Sequence, residues 1–127
     1  VWEKFVRSMA YIKQQKPLSV DFRGKLNGES TRRFHVTFEN GAHTHWHIHH
    51  GTSQVLIVVS GKGYLQYEGQ APRELHPGDV VTIPPEVKHW HGAAPGCHFQ
   101  HISLSREGEG VSNEWLEPVD EKGFEKL

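Results

Sequence analysis

The chain has 127 residues, 23% of them charged, and a net charge of −1 with histidines neutral, so it carries neither a basic footprint for nucleic acid nor a polybasic block for a membrane surface. The single cysteine, Cys97, excludes an internal disulfide and a multi-cysteine zinc finger, and no apolar run approaches the roughly 20 residues of a membrane span. The outlier is histidine, with 11 residues, nine of which fall within 43–50 or 89–101.

A chain of this length predicts one domain with a core of its own. Taken in order, Trp2, Phe5, Val6, Met9 and Ile12 recur at helical spacing and predict a short amphipathic helix over about 2–14, stopped by Pro17. Residues 1–16 are therefore expected to form a helical extension. The charges spread through "VWEKFVRSMAYIK" argue against a signal peptide, and the lone cysteine fits a reducing, cytoplasmic setting.

After Pro17 the period changes. "RRFHVTF" alternates, with Phe34, Val36 and Phe38 on one face, and "HTHWHIH" alternates as well. "VLIVVS", "GYLQYE", "DVVTIP" and "HFQHISL" are further strands, separated by turn signals such as Asn40-Gly41, Gly61-Lys62-Gly63, Pro77-Gly78-Asp79 and Pro95-Gly96. Many short strands at close spacing predict an antiparallel all-β sandwich or barrel over 17–106. Residues 107–127 turn polar and glycine-rich and are expected to form an irregular arm that tucks Trp115, Leu116 and Phe124 onto the body.

Strand alternation places His43, His45, His47 and His49 on one face and Thr44, Trp46 and Ile48 on the other. His89 and His91 share a face opposite Trp90, and Phe99 and His101 share one on the last strand. Neutral imidazole is the commonest metal ligand, and Gln54 or another carbonyl oxygen could complete a set drawn from several strands. Trp46 and Trp90 are expected to pack on the far side. The plainer reading of each histidine is a surface or satisfied pocket residue, and His50 points toward solvent.

Two motifs resemble those of the cupin superfamily. The first is Gly41, five residues, His47-x-His49, four residues, Gln54 in the acid slot, six residues, Gly61. The second is Gly78, five residues, Pro84-x-Glu86 with Glu86 in a glycine slot, two residues, His89, three residues, and Ala93 in an asparagine slot. Sixteen residues separate them. The strings "WHIHHGTSQVLIVVSGKGYLQ" and "PGDVVTIPPEVKHWHGAAP" are similar to small single-domain cupins that include manganese-dependent bacterial hydroxynitrile lyases and carboxymuconolactone-decarboxylase-associated cupins. More distantly, they resemble cupins that linearise unsaturated uronates.

The resemblance implies a double-stranded β-helix, the cupin jelly-roll barrel. It also implies metal ligation by His47, His49, Gln54 and His89, with His91 and His101 as proton-transferring catalytic residues. His43 and His45 stand where the subgroup more often has Arg and Ala, and are expected in the substrate pocket. One divalent transition metal is expected, manganese first, with iron, nickel or zinc as alternatives. The implied activity is a lyase or isomerase acting on a small molecule such as a cyanohydrin, an oxo acid or a lactone. An Fe(II) dioxygenase and a non-catalytic ligand-binding module are the alternatives. A homodimer or higher homo-oligomer is expected, with no nucleic-acid or membrane partner.

Overall fold

A computed structural model describes residues 24–26 and 29–127. The helix expected over 2–14 lies outside them. Among the described residues, ten strands and one short helix follow in order: β1 (Gly24–Leu26), β2 (Glu29–Phe38), β3 (His47–His50), β4 (Gln54–Gly61), β5 (Gly63–Tyr67), β6 (Arg73–Leu75), β7 (Val80–Ile83), β8 (His89–Ala93), β9 (Phe99–Arg106), β10 (Ser112–Trp115) and α1 (Glu121–Glu125). They form two five-stranded antiparallel sheets, ordered β1-β2-β9-β4-β7 and β10-β3-β8-β5-β6. This is the double-stranded β-helix, with two sheets facing each other across a shared interior.

The alternation read from sequence decides which residues enter that interior. Phe38, Val36, Leu56, Val58, Leu65, Leu75, Val81, Ile83, Ala93 and Phe99 form one buried apolar cluster between the sheets. Burying a side chain of this size contributes about 1.5–3 kcal/mol.

Three adjacent strands change character along their length, and they do so in step. The register pairs Phe38 with Phe99, Val36 with His101, Phe34 with Ser103 and Arg32 with Ser105. On its other side β9 pairs His101 with Val58, Ser103 with Leu56 and Ser105 with Gln54. Inward positions are thus apolar at one end of the sheet and polar at the other. Packing fills the apolar end, and a cavity opens at the polar end.

A second cluster, Tyr64, Trp90, Ala94, Val119 and Phe124, lies on the outer side of the second sheet. It buries the C-terminal segment. The arm is therefore not irregular throughout: β10 pairs antiparallel with β3, and α1 follows, capped by the Asp120 side chain accepting from the Gly123 amide. Phe124 is buried as expected, whereas Trp115 remains 40% exposed.

Residues 42–44 run against β8. The Thr44 amide donates to the His91 carbonyl at 3.0 Å and the Ala93 amide to the Ala42 carbonyl at 2.8 Å. Gly92 makes this approach possible, because a Cβ there would stand 2.4 Å from the His43 Cα and Cβ.

Candidate metal centre

β3 and β8 pair with His47 opposite His89, so their two-residue periodicity aims His47, His49 and His89 at one point. The ring centroids lie 4.2 Å apart for His47–His89, 5.0 Å for His47–His49 and 5.2 Å for His49–His89. One ring nitrogen from each lies within 4.8 Å of the others. A single cation could take all three.

Each imidazole is held from behind. His47 donates Nδ1–H to the His45 carbonyl at 2.8 Å, His89 to the Val87 carbonyl at 2.8 Å, and His49 to Asn113 Oδ1 at 2.7 Å. Pinning Nδ1 as the donor leaves the Nε2 lone pair facing inward, the tautomer a metal ligand needs. Nε2 of His49 and of His89 is buried without a hydrogen-bond partner. Such orphaned acceptors are costly unless something occupies them.

Gln54 opens β4 and lines the same cavity as His47 and His49. Its Nε2 donates to Ser103 Oγ at 2.8 Å, and its Oε1 is buried without a partner. The amide is oriented with the better metal donor free. Gln54 could therefore add an amide oxygen to the three imidazoles, a set that would suit a divalent transition ion.

Burial holds His47 and His89 neutral. It pushes His47 well below 6.5, helped by the neighbouring His89, and lowers His89 to about 4. Neutral imidazoles are the ligating form. His91 is also pushed well below 6.5, by burial first and then by His101. His101 falls to about 4 through burial.

His91 and His101 line the cavity together, their rings 5.3 Å apart. His47 lies 5.5 Å from His91. Phe38 packs against both, at 5.7 Å from His91 and 5.8 Å from His101. The cavity measures about 550 Å³. Its other walls include Arg32, Phe34, Thr44, Arg106 and Trp115.

His43 and His45 are not among the lining residues. The alternation that suggested otherwise begins only at His47, because 43–46 contains a bend and a single bridge, His43 to Gly92. Thr44 faces the cavity instead, with Oγ1 3.4 Å from His47 Nδ1. His43 stacks on Phe124 at 4.0 Å and pairs with Glu121 at 3.2 Å, while His45 donates to the Leu116 carbonyl at 3.1 Å. Both histidines fasten the C-terminal arm.

Glu86, in the glycine slot of the second motif, has φ +67°, the left-handed region that favours glycine. Its carboxylate accepts from the Gly51 amide at 3.0 Å and pairs with His50, tying the approach to β8 onto β3.

The sequence pattern gives no site role to Thr44, Ser103, Asn113 or Trp115, and it assigns Thr44 to the opposite face and Trp115 to packing on the body. Ser103 continues the alternation of Phe99 and His101 and was findable. Asn113 had no such signal.

The cupin domain model matches residues 34–99, just over half of the chain. The chain belongs to the cupin family. This cupin is 45% identical over 91 residues to the (R)-mandelonitrile lyase of Granulicella tundricola, covering 72% of this chain and 69% of that protein. A cupin-like protein from Thermotoga maritima superposes with a TM-score of 0.71 at 48% identity, covering 76% of this cupin and 71% of that chain. An acireductone dioxygenase from Bacillus cytotoxicus is 37% identical over 46 residues. That match covers 33% of this cupin and only 27% of the dioxygenase.

Proposed function

We propose that this cupin is a metal-dependent lyase or isomerase acting on a small oxygenated substrate of the cyanohydrin, oxo-acid or lactone type. In this reading His47, His49, His89 and Gln54 hold the ion, manganese in the cell, and His101 moves the proton with His91 beside it. The observation that carries it is the meeting of ring nitrogens of His47, His49 and His89 within 4.8 Å, with Nε2 of His49 and His89 and Oε1 of Gln54 buried without a partner. Similarity to a protein named (R)-mandelonitrile lyase supports the lyase class.

A bound divalent cation supplies a Lewis acid for a carbonyl or alkoxide oxygen. None of the four donors carries negative charge, so they leave that Lewis acidity undiminished. His101 lies in the cavity neutral at physiological pH and can accept a proton from a substrate hydroxyl. The oxyanion formed would favour the imidazolium and offset the burial that otherwise disfavours it. Phe38 holds His91 and His101 by ring packing, and Phe34 and Val36 give the substrate an apolar wall.

The test is turnover of a panel of cyanohydrins, small oxo acids and lactones under nitrogen. Loss on chelation and recovery with Mn(II) are expected. Likeness to an acireductone dioxygenase favours one second reading, an Fe(II) dioxygenase. Substrate-dependent oxygen consumption by iron-loaded protein, with no anaerobic turnover, would establish it. Tight binding of a compound recovered unchanged would point to a binding module instead.

We also propose a homodimer, supported by the exposed Val59 and Val80 on adjacent strands of the first sheet; a 14.5 kDa monomer by light scattering would refute it. Among the described residues no helix is long and apolar enough to cross a membrane. The free thiol of Cys97 supports a cytoplasmic setting.

A further inference from the structure

We propose that Asn113, on the C-terminal strand β10, is a positioning residue for the metal centre: it grips the His49 Nδ1–H and so presents Nε2 to the cation. The proposal rests on the metal-centre reading above.

His47 and His89 are steadied by backbone carbonyls two residues before them, contacts that the chain provides as it enters each strand. His49 is steadied differently. The acceptor is a side chain 64 positions away, at 2.7 Å. The β3–β10 register makes this contact systematic, since it places Asn113 opposite His49 and Trp115 opposite His47. The Trp115 ring lies 4.7 Å from the His47 ring. One exposed strand therefore touches two of the three histidines.

The chemistry fixes the roles. An Nε2 that gives its lone pair to a cation leaves the proton on Nδ1, so the partner must be an acceptor. Asn113 supplies Oδ1, and an outer acceptor of this kind both fixes ring orientation and raises ligand basicity. β10 lies beyond residues 34–99, the segment matched by the family model. The part of the chain that carries the ligand motifs thus lacks one of the three groups that orient them.

The test uses the full chain and Mn(II) alone, with affinity measured by competition against a fluorescent chelator. Asn113→Ala is expected to weaken binding by about 10- to 100-fold. Asn113→Asp restores an acceptor, with charge, and is expected to bind at least as tightly as wild type. Glu114→Ala, which alters the same strand at its contact with His50, controls for loosened docking and is expected to stay within about twofold of wild type. The proposal is overturned if Asn113→Ala binds within about twofold of wild type, if Asn113→Asp is as weak as Asn113→Ala, or if Glu114→Ala loses as much. A double variant, His47→Ala with His49→Ala, separates the two readings. If it keeps one equivalent of Mn(II), the metal-centre assignment itself fails. If it loses the ion while Asn113→Ala keeps it, only the role of Asn113 fails.

Discussion

His101 makes the acid stability of this protein calculable at one residue. The ring is 1% exposed, and neither nitrogen has a hydrogen-bond partner. Burial lowers its pKa from 6.5 to about 4, against a smaller opposing contribution from the Ile102 backbone. The folded pKa is depressed, so the unfolded chain binds the proton first. The resulting stability is complete above pH 6.5 and drains away as pH falls toward about 4. That gap corresponds to about 3 kcal/mol. Between about pH 7.5 and about pH 5.5 the loss is about 1 kcal/mol. His101→Gln removes the titration while keeping a polar side chain of moderate size. Urea unfolding of chelator-treated wild type and variant at the two pH values cancels His47 and His89, which both proteins share, and leaves beside His101 only the relief of His91 from its repulsion. The variant's stability deficit should shrink by about 1 kcal/mol at the lower pH. A deficit that is the same at both would show that His101 titrates normally, and the argument from burial would fail.

Other expectations follow from named contacts. Gly92→Ala should destabilise by about 3 kcal/mol or fail to fold, since its Cβ meets the backbone at 2.4 Å; soluble yield and thermal midpoint report this. Replacing Glu86 separates backbone from side chain. Both Glu86→Ala and Glu86→Gly lose the contacts to Gly51 and His50, but only glycine relaxes φ +67°, so the glycine variant should have the higher urea midpoint. His43→Ala should cost about 2 kcal/mol and speed amide exchange in 121–125, because the stacking on Phe124 and the pair with Glu121 both go. Exchange in β8 unchanged relative to α1 would agree with an anchoring role, whereas loss of metal with no change in α1 would contradict it.

The strands with inward alternation were legible because burial is written into residue type. "RRFHVTF", "VLIVVS" and "HFQHISL" became β2, β4 and β9, and their shared register brought Gln54, His101 and Ser103 to one end. β10 was illegible for the converse reason. All four of its residues are exposed, so no hydrophobic period marks it, and its pairing is set by an edge of β3 that only the folded sheet presents. The error at His43 and His45 had another source. "HTHWHIH" alternates in composition, but side-chain direction follows backbone geometry, and the chain bends at Trp46 before the strand begins. The histidine run is consequently two groups with different duties, one fastening the arm and one facing the cavity.

Gly92 has a consequence for how this scaffold can diversify. The strand that carries His89 and His91 is hemmed in on its outer side as tightly as on its inner one, because residues 42–44 press against it where a side chain would otherwise stand. Variation that retunes the cavity therefore has little room on β8. The permissive ground is the opposite wall, where Arg32, Phe34 and Ser105 on β2 and β9 and Val111 and Ser112 on the arm line the space without being among the groups that hold the centre. A library confined to those positions would explore substrate preference while leaving the imidazole cluster in place.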